Sequence, residues 1–363
     1  KYIPYFKLYD PYVTADIRVR DLFLHNSGVG NTDYLWAFDD ITGDEVIRRM
    51  QFVKPSYEYR AGFVYQNIFY HMAGKVIEQV SGTTWADYLT KNIFTPLGMN
   101  HTKALHSWIT SNNVSMPHFM IEGKVEEILK DTVDGVPAAG AVNSTIDDIT
   151  KWMQCMIDSS KYNGGRLVSE KTWMTLLKPQ TFVTEEGFYP TAQITKPHFT
   201  TYAMGWFQQD YKGEKLNFHT GSLAGEIAIH GQIPDKKVGV YIFANLDHAE
   251  ARHALMFKAL DVFALGETKD WEKEFFALYK GIHDNAAAIE KAALAKKVPN
   301  TKPSKSLEQY VGVYKDPVVG SIEVKLDNGK LVASNVKIGK GILQHFHYDT
   351  FLIEWEHKWQ GKD

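Results

Sequence analysis

The sequence is poor in the residues and runs that mark several large classes of protein. It has one cysteine in 363 residues, Cys155, and therefore cannot form an internal disulfide. No apolar run is long enough to cross a bilayer. The formal net charge is −3, and there is no run of lysine or arginine that would attract nucleic acid or an anionic membrane. The sequence therefore predicts neither a nucleic-acid partner nor a transmembrane segment.

Neither end of the sequence has the features of a chain terminus. The opening stretch, residues 1–11, is not a signal peptide and does not begin with methionine. The β-rich tail holds too few strands to close a barrel and would leave an open sheet edge. We therefore expect both ends to lie within a longer protein. The hydrophobic fraction of 44% is sufficient for a sizeable core, and the length predicts about two domains.

Helical patterns come before strand patterns along the chain. Apolar residues recur at helical spacing from Ile68 to Val80, where Ser81-Gly82 ends the helix, and a further helix is predicted from Thr145 to Ile157. Beyond residue 200, four stretches are typical of strands: "YAMGWFQQD", "EKLNFHTG", "GEIAIHGQIP" and "KKVGVYIFAN". The short turns between them favour antiparallel hairpins, and helices followed by strands predict an α+β fold.

The end of the chain predicts a separate β domain. An Ala/Lys-rich helix over residues 285–297 leads into "VPNTKPSKS", which has the composition of a linker. Alternating apolar residues on either side of "DNG" predict a hairpin, and about five strands fit before the end. We therefore divide the chain into a first domain over 1–283, a helix and linker over 284–306, and a C-terminal β domain over 307–363.

The stretch "GFVYQN" raises the first question of chemistry. Its Tyr65 and Asn67 would face nearly opposite ways on a helix but share a side in an extended turn. They can be structural, as a half-buried phenol and a helix cap, or they can both face a cleft. A tyrosine acts as a base only as phenolate, and lowering its pKa from about 10 to about 7 takes roughly 4 kcal/mol from nearby cations. From these two residues alone, the structural interpretation is favoured.

The stretch "FHTGSLAGE" offers a second set of candidates at the end of a predicted strand. His219 and Thr220 supply polar groups, and Gly221 lets a ligand backbone approach the strand edge. A tight turn with a satisfied histidine is the alternative. The nearby stretch "HAEARH", residues 248–253, lacks the i, i+4 histidines of a zinc helix, and we predict no metal site and no cofactor.

Taken together, "YQN" and "HTG" resemble the second and third motifs of the serine β-lactamase and penicillin-binding protein superfamily. The resemblance is closest to class C-like, β-lactamase-related serine hydrolases. Four further stretches resemble landmarks of that family and come in its order: "DLFLHNSGV", "IFTPLGMNHT", "PAAGAVNSTIDDITKWM" and "YAMGW". They cover roughly residues 3–250. The tail resembles the small β-barrel, lipocalin-like domain that some of these hydrolases carry.

This resemblance implies an antiparallel sheet flanked by helices, a helical subdomain and a C-terminal β-barrel-like domain. It also implies acyl transfer through a serine ester, on a small-molecule or peptide substrate. Tyr65 would act as the base or proton shuttle, Asn67 would hold the substrate amide, and the backbone N–H of Ser222 would form half of the oxyanion hole. Members are mostly secreted or periplasmic. The predicted substrate-binding residues are Gln66, His219, Thr220 and Gly221.

The sequence departs from the family pattern in two places. The family nucleophile lies in S-x-x-K, upstream of the region that matches "DLFLHNSGV", and we expect it to lie outside this sequence. The S-x-x-K that is present, Ser334 to Lys337, falls in the β-rich tail, where two residues three apart on a strand face opposite sides. His219 stands where penicillin-processing members usually have lysine. The resemblance therefore favours a peptidase or esterase over a β-lactamase, and we expect these residues alone to be inactive in acyl transfer.

Two alternatives remain open. A non-catalytic protein could keep the cleft to bind peptides or cell-wall fragments, although binding alone does not need a tyrosine base. The motifs could also be coincidental in an unrelated α+β protein. The scissile bond, whether of a D-amino-acid peptide, an ester or a β-lactam, does not follow from the sequence.

Overall fold

The structure is a computed structural model that describes residues 1–37 and 41–360. Its described helices lie mainly in the first half of the chain, and each is too short or too polar to span a bilayer. Two π-helical turns, Thr90–Phe94 and Asp261–Leu265, extend two of them. The α-helices are α1 (Pro11–Asp16), α2 (Tyr34–Ala37), α3 (Gly43–Arg49), α4 (Asn67–Ser81), α5 (Trp85–Leu89), α6 (Thr95–Leu97), α7 (Ile146–Ile157), α8 (Glu170–Leu176), α9 (Ala192–Thr195), α10 (Ala251–Leu260) and α11 (Trp271–Ala295).

The described strands form a six-stranded antiparallel sheet, a five-stranded antiparallel sheet and two small hairpins. The hairpins are β1 (His118–Ile121) with β2 (Lys124–Glu127), and β3 (Lys161–Tyr162) with β4 (Gly165–Arg166). The six-stranded sheet comprises β5 (Thr181–Phe182), β6 (Thr200–Ala203), β7 (Trp206–Tyr211), β8 (Glu214–Leu223), β9 (Glu226–Ile233) and β10 (Val238–Ala244). The five-stranded sheet comprises β11 (Gly312–Asp316), β12 (Gly320–Asp327), β13 (Lys330–Asn335), β14 (Gly339–His347) and β15 (Thr350–Trp355).

Helices cover both faces of the six-stranded sheet, whose order is β10-β9-β8-β7-β6-β5. On one face α10 approaches so closely that a Cβ on Gly231 would overlap the Met256 sulfur. On the other face α7 lies against Gly239, where a Cβ would meet Met153 and Ile157. A second core, centred on α3 and α4, belongs to the helical region that precedes the sheet. The predicted α+β fold, with an antiparallel sheet flanked by helices, is confirmed.

Most of the predicted elements are present, but the bounds of two strands were wrong. Helix α4 ends at Ser81 as predicted, and Thr145 caps α7 through the backbone N–H of Asp148. However, "YAMGWFQQD" is a hairpin of β6 and β7, because the chain turns at residues 204–205. Strand β8 also continues to Leu223 and does not break at Gly221, since its pairing with β9 runs through the Leu223–Glu226 pair.

The C-terminal sheet is an open meander. Its five strands follow the order β11-β12-β13-β14-β15, and no pairing joins β11 to β15 among the described residues. The described residues therefore do not form a closed barrel, which corrects the barrel-like expectation. The helix predicted over 285–297 begins much earlier, at Trp271, so α11 crosses the domain boundary predicted at residue 283.

The C-terminal sheet contacts the first part of the chain at two places. In the turn after β13, Lys337 Nζ donates to the carbonyl oxygen of Trp36 at 2.9 Å and lies 5.6 Å from the centre of its ring. After β15, Trp359 packs on the apolar cluster of the β1–β2 hairpin, and Lys358 pairs with Glu122 at 2.5 Å. The sheet therefore rests on both the α2 region and the hairpin.

We predict that Gly225→Ala destabilises the protein by roughly 2–4 kcal/mol, because two costs combine at this position. Gly225 has a φ of +75°, and an added Cβ would lie 2.6 Å from Pro117 Cβ and 2.7 Å from the backbone nitrogen of His118. The matched control is Gly213→Ala, where φ is +85° but nothing lies within 4 Å of the new Cβ. Gly213→Ala should lower the free energy of unfolding by only about 1–2 kcal/mol. Urea unfolding of both variants measures the difference, and equal losses would contradict a tight contact between Gly225 and the hairpin.

Candidate active site

One cavity of about 1430 Å³ lies between the edge of the six-stranded sheet and the helical region. Six of the seven residues predicted as catalytic or substrate-binding line it together. They come from the turn before α4, the first residue of α4 and the end of β8: Tyr65, Asn67, His219, Thr220, Gly221 and Ser222. Residues more than 150 positions apart in the sequence thus meet at one surface.

Gln66 does not line this cavity, contrary to its predicted place among the substrate-binding residues. Its side chain is fully buried, where it accepts from Thr32 Oγ1 at 2.8 Å and donates to the carbonyl of Val29 at 2.9 Å. Its backbone N–H donates to His25 Nδ1 at 2.9 Å. Because its neighbours Tyr65 and Asn67 face the cavity, Gln66 points inward and fixes the turn that presents them.

The Tyr65 phenol lies among aromatic rings and has no hydrogen-bond partner in the part of the chain that the structure describes. Its ring centre is 4.3 Å from that of His25 and 5.8 Å from that of His219. Burial raises the pKa of Tyr65 well above its ordinary value, and the neighbouring Tyr70, Tyr189 and Asp33 raise it further. Tyr65 is therefore a neutral phenol, and only a cation placed beside it would make it a base near neutral pH.

His219 is a neutral imidazole that uses both of its ring nitrogens within the protein. Nδ1 lies 2.7 Å from the carbonyl oxygen of Thr220, so it carries the proton and donates. Nε2 then accepts from the Tyr202 hydroxyl at 3.1 Å. Burial lowers the pKa of His219 to about 4. His219 consequently supplies no positive charge to Tyr65, as expected from the replacement of the family's lysine.

The end of β8 presents a backbone edge to the cavity. Pairing between β7 and β8 stops at the Phe207–Phe218 pair, so no described strand lies beside residues 219–223 on that side. Arg252 holds this edge by donating to the Gly221 carbonyl and to Ser222 Oγ, each at 3.0 Å. Arg252 was missed in the sequence, where the stretch around it was considered only for metal binding. Among the described residues, no group of three potential ligands is placed to hold a metal ion.

Asp33 is a second cavity residue that the sequence gave no reason to select. Its Oδ2 accepts from Asn67 Nδ2 at 2.8 Å, which leaves Asn67 Oδ1 as the free acceptor of that amide. Burial raises the pKa of Asp33, and the hydrogen bond from the Asn67 side chain opposes this shift. The carboxylate therefore fixes which end of Asn67 is available to a ligand.

The chain belongs to the Beta-lactamase family, whose model matches residues 1–264. A second model, described as a domain of unknown function (DUF3471), matches residues 296–362. Among curated proteins, the chain is 25% identical over 359 residues to Unguisins hydrolase ungD of Aspergillus violaceofuscus. That match covers 92% of this chain but 63% of the relative, so the chain spans less than two thirds of the relative's length.

Solved structures have the same fold. The octameric penicillin-binding protein homologue from Pyrococcus abyssi aligns with a TM-score of 0.60 and 21% identity, over 96% of this chain and 78% of that one. The D-amino acid amidase from Ochrobactrum anthropi SV3, complexed with L-phenylalanine amide, aligns with a TM-score of 0.54 and 21% identity, over 76% of this chain and 74% of that one. The resemblance predicted from the motifs is confirmed, and the relatives include proteins named as hydrolases and amidases.

Proposed function

We propose that the protein is a serine hydrolase that acts through an acyl-enzyme on a peptide or ester, with D-amino-acid peptides among the candidate substrates. The observation that carries this proposal is the convergence of the Tyr65–Asn67 turn and the His219–Ser222 strand edge on one cavity. Family membership supports the same proposal, because this pair of motifs serves acyl transfer through a serine ester in other members of the family. The amide complex of the structural neighbour supports a substrate of similar size.

In this mechanism, each residue has a separate role. Tyr65 relays the proton from the nucleophilic serine to the leaving group. Asn67 contacts the substrate amide through Oδ1, because its Nδ2 is already bound to Asp33. The exposed edge at Ser222 offers a backbone N–H to the developing oxyanion, and Arg252 keeps that edge in place.

The nucleophile is proposed to come from residues outside the sequence printed above. Among the described residues, no lysine ammonium is hydrogen-bonded to a serine hydroxyl, and Lys130, which lines the cavity, is paired with Glu226 at 2.8 Å. An S-x-x-K motif would supply both the missing serine and a cation beside Tyr65. That cation would oppose the strong upward shift of the Tyr65 pKa.

A non-catalytic binding protein is the second candidate, and the neutral state of Tyr65 favours it. A phenol without a cation can donate a hydrogen bond to a ligand but cannot take a proton from a serine at neutral pH. A β-lactamase is a third candidate, which the neutral His219 disfavours because penicillin-processing members carry a lysine there.

Intact-mass spectrometry with a fluorophosphonate serine probe separates these candidates. Protein produced from the complete gene should gain one adduct, and peptide mapping should place it on the serine of an S-x-x-K motif. The 41.3 kDa chain studied alone is the matched control and should gain none. Absence of an adduct in both proteins would overturn the hydrolase proposal and leave the binding protein.

A further inference from the structure

The S-x-x-K stretch of the C-terminal sheet makes a contact that the proposed mechanism does not use. Ser334 lies within β13 and pairs with Lys340, whereas Lys337 lies in the following turn and reaches across to Trp36. Trp36 lines the cavity, so a residue of the C-terminal sheet holds a residue of the cavity wall. Sequence separation between the two is 301 positions, and no local pattern accounts for their contact.

Trp36 ends a short segment, residues 32–36, which we name the anchor segment. Its backbone is closed by two turns, in which Trp36 N–H donates to the Asp33 carbonyl at 3.1 Å and Leu35 N–H donates to the Thr32 carbonyl at 2.9 Å. A shift of Trp36 should therefore move Thr32 and Asp33 with it.

The anchor segment in turn holds the turn before α4 by two side-chain hydrogen bonds. Thr32 Oγ1 donates to Gln66 Oε1, and Asn67 Nδ2 donates to Asp33 Oδ2, each at 2.8 Å. A second C-terminal contact with this region is apolar, because Val318 packs on the core cluster that includes Leu35. A continuous set of contacts thus runs from the C-terminal sheet to Asn67.

We propose that Lys337 and Asp33 are positioning residues through which the C-terminal sheet sets the orientation of Asn67 in the cavity. The inference rests on the proposed function, in which Asn67 contacts the substrate amide. Lys337 fixes Trp36, Trp36 fixes Asp33, and Asp33 determines that Asn67 turns its oxygen toward the substrate. Neither Lys337 nor Asp33 is required to touch the reacting atoms.

Lys337→Met keeps the length of the side chain but removes its hydrogen bond to Trp36. In the full gene product, we expect kcat/KM for an amide substrate to fall about 3- to 10-fold, mainly through KM, because one hydrogen bond to the backbone is lost. Asp33→Asn should lower kcat/KM for the same substrate about 10- to 100-fold, because Asn67 loses a charged acceptor. The rate of fluorophosphonate labelling should not change, since the probe has no amide for Asn67 to hold. Lys325→Met is the matched control, because Lys325 lies in the same sheet and its exposed ammonium pairs with Glu323 of the same strand.

The double variant tests the connection itself. If Lys337 acts through Asp33, then Lys337→Met should have little further effect in the Asp33→Asn background. Hydrogen exchange of residues 32–36 gives a readout that does not depend on chemistry, and it should accelerate in Lys337→Met but not in Lys325→Met. Additive losses, or unchanged exchange in Lys337→Met, would overturn the inference while leaving a labelled, active hydrolase intact. Accelerated exchange in a protein that the probe does not label would support the connection and overturn the hydrolase.

Discussion

Tyr65→Phe should reduce kcat/KM of the full gene product by about a hundred- to ten-thousand-fold, because the variant has no hydroxyl to relay the proton. The ring of Tyr65 packs against His25 and stacks on Phe207, so the phenylalanine should keep the local structure. Ground-state binding of the substrate should therefore change little. Steady-state kinetics and the rate of probe labelling measure the two effects separately.

Tyr70→Phe is the matched control for this prediction. Tyr70 is a second phenol of the same region, half-buried, but it does not line the cavity, and its hydroxyl donates to the Phe23 carbonyl at 3.1 Å and lies 3.3 Å from the Tyr202 hydroxyl. Its loss should cost about 1 kcal/mol of stability and leave the activity within a few-fold. A Tyr65→Phe enzyme as active as the Tyr70→Phe enzyme would exclude Tyr65 as the proton relay.

Acidification should destabilise the protein strongly, because several histidines are buried as neutral rings. Burial lowers the pKa of His71 to about 4 and that of His230 to about 3. The unfolded chain therefore binds these protons first, so stability is complete above about pH 7 and is lost as pH falls from about 6.5 toward 4. Each ring contributes about 2 kcal/mol of destabilisation at pH 5. Urea unfolding at pH 5 and pH 7.5 measures the difference.

His71→Met isolates one of these contributions. His71 is 4% exposed, its two ring nitrogens have no hydrogen-bond partner among the described residues, and its charged neighbours are Lys75, Glu78 and Asp44. The variant should reduce the difference in the free energy of unfolding between pH 7.5 and pH 5 by about 2 kcal/mol. His283→Met, on the exposed part of α11, should leave this difference in the free energy of unfolding unchanged. A His71→Met protein with the same acid sensitivity as the parent would contradict a buried, neutral His71.

The sequence was sufficient for the elements whose pattern is local. Helix α4 and the β8–β9 hairpin were predicted because apolar spacing and turn residues lie within a few positions of one another. The hairpin of β6 and β7 was mistaken for one strand, since two short apolar strands joined by a two-residue turn have the sequence pattern of a single longer strand. Helix α11 was predicted too short, because the prediction relied on the alanines of its second half. Its first half instead carries aromatic residues that pack on α10.

The supporting residues of the site could not be predicted, because their contacts join distant positions. Asp33 is 34 residues from Asn67, His25 is 41 residues from Gln66, and Arg252 is 30 residues from Ser222. Gln66 was predicted as a substrate-binding residue, between the catalytic candidates Tyr65 and Asn67. However, successive residues of an extended turn face alternate sides, and the middle one must point inward.

The sparse interior of the C-terminal sheet has a consequence for how this part of the chain folds. Among its described residues, only Val324, Leu331 and Ala333 are buried apolar side chains. Such a core is too small to offset the conformational entropy of about fifty residues. The sheet must then draw its stability from the surfaces of α2 and of the β1–β2 hairpin. A fragment cut at the linker should lose its ordered structure, and the tail is better regarded as an appendage that folds on its host than as a transferable module.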